Sequence, residues 1–133
     1  MPAMDELRLN PVYYGPEHLA LRETLRRFVA REITPHADAW DEAGSFPRGL
    51  YAKAAEIGLL GLGFPDEYGG IAGVVSFHRL VASLELAQAG SGGVVASLMS
   101  HTIAAPPVAA LGSPELKQRV LPEVLAGRRI AAL

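Results

Sequence analysis

Along most of the chain, hydrophobic and polar residues alternate with the period of an α-helix. Between Glu17 and Ile33 the apolar side chains recur every three or four residues, and the arginines fall elsewhere on the helical wheel. The same spacing returns between Ser76 and Ala89. Both segments therefore predict amphipathic helices that bury one face.

Helix start and stop signals divide the remainder of the chain. Pro35 and Pro47 suit the first turn of a helix, and Gly44 and Gly58 suit the ends of the helices that follow them. The sequence SPE from Ser113 combines an N-cap serine, a proline at the first helical position and an early acid. Together these signals predict an all-α fold, a helical bundle of about six helices.

The stretch from Leu86 to Pro114 contains no Asp, Glu, Lys or Arg between its ends. Because about 20 apolar residues cross the hydrocarbon core of a membrane, a transmembrane helix is one interpretation. The glycines, the polar residues and the Pro106-Pro107 pair argue against it. We expect instead a helix that starts near Ser91, ends before Pro106, is apolar nearly all round and lies among other helices. Its predicted buried stripe comprises Val94, Val95, Leu98, Met99, Thr102 and Ile103.

The last five residues, RIAAL, are typical of the beginning of a β-strand, and the rest of the chain offers that strand no partner. The predicted fold is therefore all-α, ending in the start of a β-strand. We divide the chain into an N-terminal arm (1–15), a helical domain (16–128) and the start of a truncated further domain (129–133). A lone terminal strand indicates that the chain was cut.

Charge and cysteine content exclude several classes of function. The 133 residues carry a formal net charge of −2 with no basic cluster, so no nucleic-acid footprint is present. The absence of cysteine excludes disulfides, thiolate metal sites and a cysteine nucleophile. The N-terminus has acidic residues and no apolar core, so we expect no secretory signal and a cytoplasmic location.

Candidate chemical groups form no recognisable constellation in the sequence. The glycine-rich segment from Gly58 to Gly63 follows a helix rather than a strand, which does not fit a phosphate-binding fingerprint. We expect His18 and His78 at exposed positions and His101 with a satisfied hydrogen bond, so no metal site is assigned. Glu85 suits acid–base work or an ion pair with an arginine, and we favour the pair.

Four stretches taken together resemble the N-terminal helical domain of the acyl-CoA dehydrogenases. They are the helix between Val74 and Ala89, LRETLRRFVAREITPHADAWDEAGSFP from Leu21, LYAKAAEIGLLGLGFPDEYGG from Leu50, and SHTIAAPPVAALGSPELKQRVLPEVLAGRRIAAL from Ser100. Their order and spacing agree with the family from Pro16 onward. By this resemblance, residues 129–133 begin the middle β-domain of the family.

The resemblance implies an enzyme that uses FAD to oxidise the Cα–Cβ bond of an acyl-CoA thioester. In that family a glutamate of the C-terminal domain removes the α-proton, and most of the flavin site lies in the middle and C-terminal domains. We therefore assign no catalytic residue here and expect that this chain alone does not retain FAD. Leu133 falls where the family's strand first approaches the flavin, so it is the single expected cofactor-binding residue.

The resemblance also implies a substrate-binding role for Val95, Met99 and Ile103, because the matching helix of relatives lines the acyl-chain cavity. Core packing is the alternative for each residue. Expected partners are acyl-CoA, further copies of the chain in a homo-oligomer, and an electron-transfer flavoprotein as acceptor. The alternative functions are a non-catalytic helical module that binds a partner or lipid, and a flavin monooxygenase or nitroalkane oxidase on the same scaffold.

Overall fold

The computed structural model describes residues 9–132 and is 67% helical, which confirms the all-α prediction. The helices are α1 (Pro16–Phe28), α2 (Ala37–Ala43), α3 (Gly49–Glu56), α4 (Ser76–Leu86), α5 (Gly92–Leu98), α6 (His101–Leu111) and α7 (Pro114–Leu125). Short 3-10 turns occur at Thr34–His36, Asp66–Tyr68 and Ala87–Ala89.

A wide π-type turn, Val29–Ile33, joins α1 to the segment leading into α2. Its hydrogen bond runs from the amide of Thr34 to the carbonyl of Val29, five residues earlier. Val29, Ile33 and Ala37 are all buried. In an ideal α-helix each residue would be displaced by about 40° around the helix axis from the residue four positions earlier, so the three would not lie in one line. The π turn thus keeps one face of a long helical segment on the core.

Helices α1 and α4 pack side by side and run in the same direction. His18, near the start of α1, contacts His78, near the start of α4, and Arg26 contacts Glu85 further along. The main core gathers around this pair and comprises Leu25, Phe28, Val29, Ile33, Leu50, Tyr51, Ala54, Leu59, Leu60, Ala82, Leu86, Ala89, Val94 and Leu98. A smaller core holds Phe64, Ala105, Leu121 and Leu125.

The predicted helix caps are present. The hydroxyl of Ser91 accepts from the amide of Val94 at 3.2 Å, and the hydroxyl of Ser113 accepts from the amide of Leu116 at 3.2 Å. Gly58 adopts a left-handed φ of 85° just after α3, a conformation that favours glycine. The local signals at Ser113 and Gly58 therefore act as expected, whereas Pro35 lies in the 3-10 turn Thr34–His36 and α2 begins only at Ala37.

The uncharged stretch forms two helices, α5 and α6, and not the single helix that we predicted. They are joined by a tight turn in which the amide of Thr102 donates to Met99 and the amide of Ile103 donates to Ser100, at 3.0 and 3.2 Å. These three-residue steps are 3-10 bonds, and they shift the phase of the helix that follows. Thr102 and Ile103 are exposed as a result, and the predicted stripe is wrong at these two positions.

The prediction that this stretch is buried nearly all round is also wrong. Leu98, His101 and Ala105 are the buried residues on either side of the turn. Only 22% of the most apolar window of Gly92–Leu111 is buried. By length and composition alone, this stretch is apolar enough to cross a membrane, which is weak evidence for a span. The turn between α5 and α6 interrupts the continuous backbone bonding that a lipid-exposed helix needs.

Helix α6 continues through Pro106 and Pro107, where we predicted that the helix would end. A proline lacks the amide that would bond to the carbonyl four residues earlier. The two carbonyls left over belong to Thr102 and Ile103, both exposed residues, so water can satisfy them. The helix therefore tolerates the two prolines at a solvent-facing site.

The predicted terminal strand does not form within the described residues. Residues 130–132 are irregular, and the only β-type pairing in the described chain is an isolated bridge between Leu62 and Ile71. The hydroxyl of Ser100 donates to the carbonyl of Ala131 at 2.8 Å and holds this end against the start of α6. Leu133, the expected cofactor-binding residue, lies outside the described residues.

Candidate functional site

A cavity of about 750 Å³ lies between α4, α5, α6 and the loop that follows α3. Its wall consists of Leu59, Leu62, Gly63, Phe64, Arg79, Ala82, Ser83, Leu86, Ala87, Val95, Met99, His101, Thr102, Pro106, Ala109 and Ala110. Apolar side chains dominate this wall, and no Asp or Glu of the described chain contributes to it. A volume between about 300 and 1,000 Å³ with a mainly apolar lining is typical of small-molecule sites.

One side of α4 forms a continuous part of the cavity wall. Arg79, Ala82, Ser83 and Leu86 follow one another at intervals of three, one and three residues, which places them on one helical face. A second face of the same helix packs on α1. The helical period of α4 in the sequence predicts the face that packs on α1. Nothing in the sequence shows that another face of this helix borders a cavity.

The structure brings two of the three predicted substrate-binding residues into this wall. Val95 and Met99 are half-buried and line the cavity, whereas Ile103 is not part of the wall and its side chain is 64% exposed. The tight turn after Met99 explains the difference, because it rotates Ile103 outward and presents Thr102 to the cavity instead. The substrate-binding role of these residues stays a prediction.

His101 lies where the cavity meets the core. Its side chain is buried, and its Nε2 lies 2.8 Å from the carbonyl oxygen of Leu60, as the satisfied-histidine interpretation predicted. Burial lowers the pKa of the imidazole below its ordinary 6.5, partly opposed by the backbone carbonyls of Leu60 and Leu98. The ring is therefore a neutral hydrogen-bonding group that ties α6 to the loop after α3.

Glu85 is only 5% exposed and is paired with arginines, as we favoured. Its Oε1 accepts from the Nε of Arg22 at 3.1 Å and from Arg26 at 3.2 Å, and its Oε2 accepts from Arg26 at 3.2 Å. A carboxylate held this way has both oxygens occupied by charged donors. Glu85 is thus a structural contact between α1 and α4 and not a free base.

Two histidines and a glutamate meet at the start of α1 and α4. Glu17, His18 and His78 offer ligand atoms within 4.8 Å of one another, a set that the sequence analysis missed. His18 is 4% exposed and His78 is half-buried, so the prediction that both are exposed is wrong. Each is the third residue of its helix, which is the one sequence signal that they share.

The geometry of this histidine pair suits helix capping. Nδ1 of His18 accepts from the amide of Gly15 at 2.9 Å, and Nδ1 of His78 accepts from the amide of Val75 at 3.2 Å. A neutral ring that accepts at Nδ1 carries its proton on Nε2, so neither nitrogen offers a lone pair to a metal. Two positive helix ends also disfavour a cation there.

The glycine-rich loop after α3 does not fit the pyrophosphate of a flavin. The amide of Gly63 donates to Ile71 at 2.9 Å, the amide of Ile71 donates to Gly61 at 2.8 Å, and the amide of Phe64 donates to Gly61 at 3.1 Å. A pyrophosphate site needs backbone amides that point outward, as at a helix N-terminus. The loop uses these amides on itself, so we assign it no part of a flavin site.

Comparison with known proteins agrees with this helical architecture. Residues 15–128 match the family model described as Acyl-CoA dehydrogenase, N-terminal domain. Long-chain specific acyl-CoA dehydrogenase, mitochondrial, of Sus scrofa is 34% identical over 120 residues, which are 90% of this chain and 27% of that protein.

Two solved structures share the arrangement of helices. The acyl-CoA dehydrogenase of Geobacillus kaustophilus superposes with a TM-score of 0.79 at 31% identity, over 89% of this chain and 30% of that one. The acyl-CoA dehydrogenase of Bacillus anthracis complexed with FAD gives 0.76 at 27% identity, over 92% of this chain and 21% of that one. This chain thus spans less than a third of these relatives' length. From the match over residues 15–128 and these similarities, the chain belongs to the acyl-CoA dehydrogenase family.

Proposed function

We propose that this chain forms one wall of the acyl-chain site of an FAD-dependent acyl-CoA dehydrogenase, which oxidises the Cα–Cβ bond of an acyl-CoA thioester. The observation that carries the proposal is the apolar cavity of about 750 Å³, into which Val95 and Met99 project from the helix that the family resemblance assigns to the acyl chain. Its size and lining suit a flexible alkyl chain.

The chain supplies only part of such a site. Ile103 and Leu111 are 64% and 88% exposed, and large apolar side chains on a surface are typical of an interface. We infer that this side of α6 packs against further domains of a dehydrogenase, which hold the flavin. FAD, when bound there, accepts the hydride from the substrate, and this chain contributes the space that positions the acyl chain.

The remaining partners of the enzyme follow from the family. Acyl-CoA is the proposed substrate, further copies of the chain form a homo-oligomer, and an electron-transfer flavoprotein is the proposed acceptor. The cytoplasmic location also stays a prediction. A second candidate function, a helical module that binds acyl groups without flavin, is favoured by the fact that the cavity is formed by the 133 residues alone.

The cavity can be tested by filling it. We expect octanoyl-CoA to bind the 133-residue chain in calorimetry, and Val95→Phe to abolish that binding because the larger ring occupies the cavity. Val120→Phe is the matched control, since Val120 is equally half-buried but lies on α7 outside the cavity wall. Equal binding by both variants would contradict the proposed site, provided that circular dichroism shows both to be helical.

A separate measurement distinguishes the two candidate functions. If the chain is part of a flavoenzyme, FAD added to it should not be retained on gel filtration, because the amides of Gly63, Phe64 and Ile71 in its glycine-rich loop donate within the loop. The longer protein that contains this domain should then purify with FAD and reduce an acceptor with acyl-CoA. Acyl-CoA binding with no such activity in the longer protein would favour the flavin-free module.

A further inference from the structure

Arg79 is the one Lys or Arg in the wall of the cavity among the described residues. The other polar side chains of the wall carry no full charge, and two of them already make hydrogen bonds within the protein. Nε2 of His101 contacts the carbonyl of Leu60, and the hydroxyl of Thr102 donates to the carbonyl of Met99 at 2.7 Å. The cavity therefore presents a full positive charge to its contents at one place only.

The guanidinium of Arg79 lies directly against the backbone of Gly63. A Cβ atom placed on Gly63 would come within 2.6 Å of Nη2 of Arg79, closer than real contacts of this kind. Gly63 has a φ of 81°, so the loop requires glycine there on conformational grounds as well. The bare α-carbon thus provides the space that the arginine head occupies at the edge of the cavity.

No acidic side chain of residues 9–132 pairs with Arg79. Elsewhere in the described chain, Arg22 and Arg26 hold Glu85, and Arg128 holds Glu123. Arg79 is also the fourth residue of α4, close to the positive end of the helix dipole, where a cation gains nothing from the helix and an anion is stabilised. Both features favour a negatively charged group beside this arginine.

We propose that the cavity takes an acyl chain whose far end carries a carboxylate, and that Arg79 binds this carboxylate. The proposal rests on the proposed function and names its substrate class as ω-carboxyacyl thioesters. An arginine fork matches the two oxygens of a carboxylate with two parallel N–H···O bonds, while the apolar wall holds the methylene groups between. The same chemistry, an alkyl chain ending in a carboxylate, is offered by a free fatty acid.

The experiment compares three ligands by calorimetry on the 133-residue chain: octanoyl-CoA, 7-carboxyheptanoyl-CoA and octanoate. We expect 7-carboxyheptanoyl-CoA to bind about tenfold more tightly than octanoyl-CoA, as for a charge-assisted hydrogen-bonded pair. Arg79→Met should remove this preference, so that the two CoA esters bind this variant with equal affinity. Arg79→Lys, which keeps the charge and loses the fork, should retain part of it.

Arg119→Met is the matched control, because Arg119 is an exposed arginine of α7 outside the cavity wall. It should leave all three affinities unchanged. Circular dichroism of each variant separates a lost contact from a lost fold.

Each other outcome contradicts a different step. Equal affinities for the two CoA esters, or a preference that survives Arg79→Met, would overturn the role of Arg79 and leave the proposed acyl site standing. Binding of octanoate alone, lost in Arg79→Met, would identify a free fatty acid as the source of the carboxylate and overturn the thioester assignment. Binding of none of the three ligands, either by this chain or by the longer protein that contains it, would contradict the proposed function itself.

Discussion

The charged residues on the two faces of α4 differ in their burial and in whether they have an ion-pair partner. On the face toward α1, Glu85 is buried and both of its oxygens accept hydrogen bonds from Arg22 and Arg26. On the face toward the cavity, Arg79 is exposed and has no acidic partner among residues 9–132. Because an unpaired charge inside a protein is costly, the first face needs its charges matched, whereas the second can keep a charge for a ligand.

This difference separates charges that hold the fold from a charge available for binding. Residue type alone does not distinguish them, since both faces carry ordinary ionisable side chains at helical spacing. Burial and the presence of an ion-pair partner distinguish the two kinds of charge. Four comparisons of variants test how burial and partners separate structural residues from residues of the site, and we give them in order of expected effect on stability.

The largest effect should come from Glu85→Ala. The change leaves the guanidinium groups of Arg22 and Arg26 in a partly buried place without their carboxylate. Breaking a buried ion pair from one side costs about 3–5 kcal/mol of unfolding free energy, which urea denaturation measures. The control is Glu123→Ala, which removes the exposed partner of Arg128 and should leave the midpoint unchanged. Similar midpoints for both variants would show that Glu85 is not a structural contact.

The next largest loss of unfolding free energy is expected for a core residue, Leu98, and its neighbour in the cavity wall, Met99, gives the comparison. Leu98 is 1% exposed, so Leu98→Ala should leave a void and cost about 2–5 kcal/mol. Met99 is half-buried against existing free space, so Met99→Ala should cost clearly less. In the enzyme that contains this domain, Met99→Gly should shift the preference toward longer acyl chains by about tenfold in kcat/KM if it frees space for two methylene groups.

The corresponding measurement is a profile of kcat/KM against acyl length, set beside the unfolding free energy of each variant. An unchanged profile with a large loss of stability in the Met99 variants would assign Met99 to the core and remove it from the substrate site.

A smaller effect concerns the pH dependence of stability at His101. Burial lowers the pKa of its imidazole, so below about pH 6.5 the unfolded chain takes up a proton that the folded chain resists. The stability contributed by the neutral ring is therefore present above this pH and declines as the pH falls. We expect His101→Gln, which can keep a hydrogen bond to Leu60, to weaken the decline between pH 7.5 and 5.5.

Urea denaturation at the two pH values measures this decline directly. His36→Gln is the control, because His36 is exposed on the surface. A decline of the same size in the wild type and in His101→Gln would show that another group is responsible.

The smallest effect on stability should come from Arg79→Met. Arg79 has no ion pair to lose within the described chain, so the free energy of unfolding should stay within about 0.5 kcal/mol of the wild-type value. Urea denaturation of Arg79→Met beside Glu85→Ala gives the comparison in one experiment. A loss as large as that of Glu85→Ala would mean that both faces of α4 carry structural charge.

Local signals allowed most of the fold to be predicted from the sequence. The prolines and N-cap serines at the start of helices act within one turn, so Ser113 could be assigned without knowledge of the tertiary structure. The predicted stripe on the uncharged stretch was wrong beyond Met99, because a tight turn leaves no mark in the hydrophobic pattern. Because successive residues of an α-helix are rotated by about 100°, such a turn changes the face on which every later residue of the helix lies.

The candidate site was less predictable, because it depends on contacts between distant segments. Arg79 borders the cavity only because Gly63, sixteen positions earlier, lies beneath its guanidinium. His18 and His78 meet only because α1 and α4 run in the same direction. Val95 and Met99 were named through the family resemblance, since their spacing alone suits a core as well as a cavity.

The π turn between Val29 and Ile33 holds one residue more than a regular α-helical turn. Deleting Ala30, an exposed residue of this turn, would allow the segment to close into a regular α-helix. Ala37 would then follow Val29 by seven residues, or about 700°, and would stay on the same buried face. A deletion at this solvent-facing position would thus preserve the register of α2 and the place of Trp40 beside Phe46, whereas the same deletion in a regular turn of α1 would rotate every later residue by about 100°.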